Sequence, residues 1–284
     1  MSRNQDRTLG NNPEIQQPVQ PNPPPAPMAS PEAPASPFNF IVPTEMVDLP
    51  SKGEFYPEGH PLHNVDTVEI KHMTAKEEDI LTSATLLKKG LAIDKMLQSI
   101  IVDKKIKVDD LFIGDKNALL IASRVFGYGS NYDVELECPN CENQFGTTID
   151  LSELQIKDLT GIEAAEKTEN NTFVITLPRS NFVVEFGLLT SKDERTMSAK
   201  KSAGTMTLLK HIIVSINQQT DGFFIERALQ SLPILDTSIL KRAYAAVMPD
   251  IDMKQAVECG DCGEVSEMGV PLNADFFWPD TRIY

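Results

Sequence analysis

The sequence predicts an α+β fold made of two homologous strand-helix-hairpin half-domains. Three observations carry this reading. Residues 68–79 return in altered form at 184–195, residues 115–141 match 236–262 without a gap, and the two halves show the same order of apolar periodicities. A chain of 284 residues with 41% hydrophobic content can build one large or two small domains around a true core.

The first 43 residues stand apart. They hold 11 of the 20 prolines, including Pro23-Pro24-Pro25, and no aromatic residue before Phe38. Such a segment buries too little apolar area to offset its chain entropy, so 1–43 is expected to be a disordered arm. It serves either as a tether or partner-binding strand, or as a solubilising tail. Residues 44–64 come next as a turn-rich loop, in which Pro50, Gly53, Pro57, Gly59 and Pro61 punctuate an extended chain.

The first half-domain is expected over 65–160 and the second over 161–273. Val68-Glu-Ile-Lys-His-Met-Thr-Ala-Lys-Glu-Glu-Asp79 reads as a strand leading into a helix, with Thr74 and Glu77 as a capping box. Val184-Glu-Phe-Gly-Leu-Leu-Thr-Ser-Lys-Asp-Glu-Arg195 shares five of these twelve positions, with Thr190 and Asp193 in the capping places. The second match pairs Asp115 with Asp236, Leu119 with Leu240 and Ala122 with Ala243, and it ends on Glu137-Cys138-x-x-Cys141 against Glu258-Cys259-x-x-Cys262. In order, the expected elements are a strand (65–72; 173–187), a capped helix (75–89; 191–203), an apolar helix (91–102; 205–217) and a further helix (115–126; 236–247). A hairpin tipped by the two cysteines closes each half. In Tyr132-Asp-Val-Glu-Leu-Glu137 the alternation puts Tyr132, Val134 and Leu136 on one face, as a half-buried strand requires.

Composition excludes several function classes. With 26 Lys+Arg against 41 Asp+Glu the formal charge is −15, so phosphate backbones and anionic lipid are repelled; neither nucleic acid nor membrane is an expected partner. No apolar run approaches the roughly 20 residues of a bilayer span, and Met-Ser-Arg-Asn-Gln-Asp lacks the apolar centre of a signal peptide. A reducing compartment is expected, where paired cysteines favour metal over disulfides.

Two Cys-x-x-Cys pairs, more than a hundred residues apart, cannot form a simple zinc ribbon. A pseudo-two-fold arrangement of the halves would bring the hairpin tips together, so that Cys138, Cys141, Cys259 and Cys262 form one closed, structural Zn2+ site. Other readings stay open: redox dithiols, although a thioredoxin-type pair opens a helix; plain buried cysteines; or a separate site using His60 and His63.

Nothing else points to catalysis. Nucleophile elbows, phosphate loops and dinucleotide fingerprints are missing, and Gly127-Tyr-Gly129 reads as a helix-ending turn. Glu77-Glu78-Asp79 and Asp193-Glu194 are first-turn carboxylates, which complement the helix dipole and are expected to be solvated. The chain is not expected to be an enzyme. The aromatic tail 274–284, with Phe276, Phe277 and Trp278, either seals the core or anchors into a neighbouring subunit. In the loop, Pro50, Gly53 and Pro57 leave few conformations, so Lys52, Phe55 and Tyr56 are expected to point outward as partner contacts.

Leu49-Pro-Ser-Lys-Gly-Glu-Phe-Tyr-Pro57, followed by a strand and the helix start Met73-Thr-x-Lys-Glu-Glu78, resembles the baseplate hub assembly proteins of T-even-like contractile-tailed bacteriophages, over roughly residues 46–284. The resemblance implies a non-enzymatic assembly role in the tail baseplate, or in host cytoplasm while tails are built, with hub, spike and tape-measure proteins as partners. Two alternatives of other classes are a zinc-ribbon adaptor on nucleic acid or a processing complex, and a Cys-x-x-Cys thiol oxidoreductase.

Overall fold

The computed structural model describes residues 41–159, 165–199, 204–272 and 274–277. The arm expected at 1–43 lies, up to residue 40, outside the described residues, as do 200–203 of an expected helix and the tail from Trp278 onward. The fold class is mixed α+β, with eight α-helices and four small antiparallel sheets among the described residues.

The first departure falls in the turn-rich loop. Its beginning is a strand, β1 (Thr44–Asp48), paired antiparallel with β2 (Thr67–Lys71), Val47 opposite Val68. Between them the loop is compact, not extended. Leu49 and Leu62 are buried, the Leu49 amide donates to Asp66 O at 2.7 Å, and the Asn64 amide donates to Gly53 O at 3.0 Å.

From β2 the chain enters α1 (Ala75–Thr82), α2 (Ala84–Lys88) and α3 (Ala92–Ile100). The expected capping box opens α1: Glu77 Oε2 accepts from the Thr74 amide at 3.0 Å and from its hydroxyl at 2.6 Å. Glu77 is nevertheless not solvated. It is 2% exposed, because its other oxygen takes the Ser99 hydroxyl of α3 at 2.6 Å, so the cap doubles as a helix-to-helix tie. Helix 91–102 ends early, where β-branched Ile101 leaves it to bridge Ile70 beside the sheet.

The long helix α4 (Ile113–Tyr128) ends at Gly129, whose φ of 89° supplies the turn that the sequence indicated. A hairpin follows, β3 (Asn131–Glu137) with β4 (Gln144–Asp150), and its alternation buries Tyr132, Val134 and Leu136 as expected.

In the second half the expected strand 173–187 is two strands. After a short β5 (Glu166–Lys167), β6 (Phe173–Thr176) and β7 (Val183–Phe186) pair antiparallel across a turn at Leu177-Pro178, closed by Leu177 N donating to Phe182 O at 2.9 Å. Next come α5 (Ser191–Ala199), with Thr190 and Asp193 as its cap, and α6 (Thr205–Ile212). Helix 205–217 stops at 212 because Ile213-Val-Ser-Ile216 joins the sheet as β8, in the order β5-β6-β7-β8. An additional helix, α7 (Gly222–Ser231), then precedes α8 (Ile234–Val247) and the second hairpin, β9 (Lys254–Glu258) with β10 (Val265–Gly269).

Two buried carboxylates explain why Asp115 and Asp236 recur. Each sits in the first turn of its helix, fully buried, and holds a Leu-Pro loop. Asp115 accepts from the Ser51 amide (2.9 Å), the Ser51 hydroxyl (2.6 Å) and the Tyr56 hydroxyl (2.7 Å); Asp236 accepts from the Arg179 (3.0 Å) and Ser180 (2.8 Å) amides. Burial pushes the Asp115 carboxyl up despite its three donors. At Asp236 burial acts in the same direction, but the Ser180 and Arg179 donors outweigh it and hold the carboxyl below the usual range.

The apolar side chains form two clusters. One holds β1–β4, α3 and α4 together with Val257, Cys259, Val270, Phe276 and Phe277; the other holds β6–β8 and α6–α8. The second hairpin therefore packs on the first half. Its approach is set at Gly114, where any Cβ would lie 1.9 Å from Pro249 O, and by Asn117 Nδ2 donating to Asp250 Oδ1 at 3.0 Å. Arg195 and Lys116 share Asp94 at 3.0 Å each, which ties α3, α4 and α5 together.

Candidate metal centre

Each cysteine pair sits where a hairpin turns back, and the two turns are built alike. Cys138 N donates to Asn143 O (3.0 Å) and Glu142 N to Cys138 O (2.9 Å); in the second hairpin Cys259 N donates to Glu264 O and Gly263 N to Cys259 O, both at 2.9 Å. Closing so short a turn requires a left-handed residue after the second cysteine. Glu142 takes φ 58° and Gly263 φ 69°.

The two tips meet. All four sulfurs lie within 4.8 Å of one another, with Cys138 Sγ 3.7 Å from Cys262 Sγ and Cys141 Sγ 3.8 Å from Cys259 Sγ. Four sulfurs held about 2.3 Å from one ion at tetrahedral angles stand about 3.8 Å apart, so the spacing fits a four-thiolate metal site. Cys138 and Cys259 are buried, 1% and 2% exposed, while Cys141 and Cys262 lie towards solvent.

The backbone prepares one of the sulfurs, that of Cys138, for the charged form. The Cys141 and Asn140 amides aim at Cys138 and bring its pKa down to about 7. Cys141 receives the Asn143 amide, yet burial and the three neighbouring sulfurs push it up to about 12. Clustered thiolates repel, and a cation at their centre removes that repulsion. Asn140 Nδ2, 3.8 Å from Cys262 Sγ, crosses from one knuckle to the other. Glu137, Glu142, Glu258, Asp261 and Glu264 surround the tips as exposed acids outside the sulfur cluster.

The other residues singled out in the sequence do not converge here. Tyr56 was expected to face outward, but it is 1% exposed, with its hydroxyl on Asp115 and its ring stacked on His60 at 4.5 Å. The clasp of Asp115 draws it inward. Phe55 packs on the second core, 5.7 Å from the Phe173 ring, and of the three only Lys52 is exposed. Phe276 and Phe277, 1% and 2% exposed, close the first core: Phe276 stands edge-on to Tyr132 at 5.1 Å, and its carbonyl accepts from buried Arg124 at 2.8 Å. Trp278 lies outside the described residues. Among the described residues His60 and His63 bond only within their loop: the Leu62 amide donates to His60 Nδ1, and His63 Nδ1 pairs with Tyr56 O. The sequence reading missed the carboxylate clasps, whose signal was present in the recurrence of Leu-Pro before each paired aspartate.

The chain matches, over residues 42–278, the family model described as T4 bacteriophage base plate protein. No curated protein and no solved structure matches it.

Proposed function

We propose, from the premise that this chain belongs to the T4 bacteriophage base plate protein family, that it is a non-enzymatic structural part of the tail baseplate hub, held in shape by one structural zinc. The observation that carries the zinc reading is the meeting of two knuckles from distant parts of the chain at tetrahedral spacing. Four sulfurs leave no open coordination position, which suits a clamp and not a catalyst. Zinc is favoured among metals because thiolate-only tetrahedral sites select it or iron–sulfur clusters, and four sulfurs spaced about one ion leave no room for a multi-iron core.

In this reading the halves, 65–160 and 161–273, are duplicates that bring their two knuckles together at the cysteine site. The clamp sets the second hairpin on the first core. The partners are other baseplate proteins, among them hub, spike and tape-measure components, and the working location is the virion tail. Lys52, on the exposed tip of its loop, is kept as that loop's partner contact.

Tails purified from infected cells test the role. This chain is expected among their proteins, and tails that form normally on infection by a phage lacking it would overturn the reading. Metal analysis of the isolated protein tests the clamp separately.

A further inference from the structure

We propose that a second copy of this chain docks head-to-tail on the exposed start of α8, repeating between molecules the contact that the start of α4 makes inside one molecule. The inference rests on the internal repeat and not on the baseplate reading.

The two helix starts are equivalents: Leu111-Phe-Ile-Gly114 precedes Asp115 as Leu232-Pro-Ile-Leu235 precedes Asp236. The first is docked. Ile113 N donates to Leu189 O (3.2 Å), Ser191 N donates to Leu111 O (2.8 Å), and Phe112 bridges Thr190 between them. This short antiparallel pairing leaves Leu111 and Ser191 fully buried and Leu189 5% exposed. The second start is bare. Ile234 is 88% exposed and Leu235 43%, and neither the Ile234 amide nor the Leu232 carbonyl has a hydrogen-bond partner among the described residues.

The acceptor also exists twice. By the repeat, Leu189-Thr190-Ser191 corresponds to Met73-Thr74-Ala75, and both Thr74 and Thr190 cap a helix through a capping box. Thr74 and Ala75 are exposed, and the Met73 carbonyl and Ala75 amide lack partners among the described residues. The molecule thus contains one filled contact and two unmatched halves of the same contact. Joining them between copies gives Ile234 N–H to Met73 O and Ala75 N–H to Leu232 O, the pattern seen within the chain.

Charge is compatible with the same pairing. Ile234, Ser238, Lys241 and Arg242 share one exposed face of α8, and beside the acceptor α1 exposes Lys76 together with Glu78 and Asp79, so that its acids outnumber its cation. In a chain of formal charge −15, which otherwise repels its own copies, this juxtaposition sets cations against acids. The copy is not identical. Leu235 stands at the place of Gly114 and Tyr128, 40% exposed, at that of Pro249, so a tight backbone approach is replaced by apolar side-chain packing. Because donor and acceptor are different surfaces, the contact is heterologous and can grow or close into a ring.

Sedimentation of the full-length, metal-loaded protein at rising concentration tests this, carried to about 200 μM because so small a contact belongs to the weak class. The wild type is expected to associate. Ile234→Asp disrupts the α8 side of the contact, and Ala75→Pro removes from the α1 side the N–H that donates to Leu232 O, at the first helical position, where proline is tolerated after the extended Thr74. Each variant alone should associate at least about tenfold more weakly, a loss of roughly 1.4 kcal/mol. Mixed in equal amounts they should form a dimer that does not grow, since each keeps one good end. A wild type that stays monomeric, a single variant that assembles like wild type, or a mixture that stays monomeric overturns the proposal. Metal content and melting temperature check each fold; Ile234→Ser and Glu78→Lys replace any variant that fails. The assay needs no other phage protein, so its failure leaves the baseplate reading standing.

Discussion

The carboxylate of Asp115 grips Ser51 twice, at 2.9 Å through the amide and 2.6 Å through the hydroxyl, and thereby joins the first turn of α4 to the loop after β1. The same aspartate takes the Tyr56 hydroxyl at 2.7 Å. All of these groups are buried, so a missing acceptor leaves donors with nowhere to turn.

Asp115→Ala should therefore cost about 3–5 kcal/mol of stability, and Tyr56→Phe about 1–2 kcal/mol, read by chemical denaturation at constant metal content. Equal, small effects would mean that water replaces the carboxylate and that the clasp is not a structural tie.

Asp236 makes a prediction about acid. Its folded pKa lies below the unfolded value, so it contributes stability above the unfolded pKa, and that contribution is lost as pH falls below about 4. The Asp236→Asn variant should start less stable near neutrality and show a shallower fall in melting temperature between about pH 4 and 2. Parallel curves for the two proteins would contradict the assignment.

Three backbone positions invite single substitutions. Gly114→Ala places a Cβ 1.9 Å from Pro249 O and should cost about 1–3 kcal/mol or more by prising the second half from α4. In the knuckles the two substitutions have opposite effects: Glu142→Gly relieves a left-handed side chain and should change stability by less than about 1 kcal/mol, towards greater stability, whereas Gly263→Ala should lose about 1 kcal/mol. Thermal melts of the three variants decide the order.

One zinc per chain is expected by elemental analysis. Cys259→Ser should release it and lower the melting temperature, because binding free energy at a site absent from the unfolded chain is folding free energy. An unchanged metal content in this variant refutes the shared site. Chelation of the wild type should have the same effect on the melt as the substitution.

Much of this was legible in the residues. Both capping boxes, the half-buried β3 and the pairing of distant Cys-x-x-Cys motifs follow from local patterns: period-two alternation, a Thr three residues before an acid, and two thiols two residues apart. These depend on neighbours in sequence, which is why they survive without knowledge of the fold. What the tertiary structure alone decided is which copy of each pattern is covered. Tyr56 turns inward because Asp115, far along the chain, offers it an acceptor; Glu77 is buried because Ser99 reaches it; Ile213–Ile216 leaves its helix because β7 presents an open edge. Ile113 and Ile234 occupy the same place in the repeat, yet one is docked and the other bare. Burial belongs to pairs of distant surfaces, and a sequence repeated twice writes both surfaces twice without saying which two will meet.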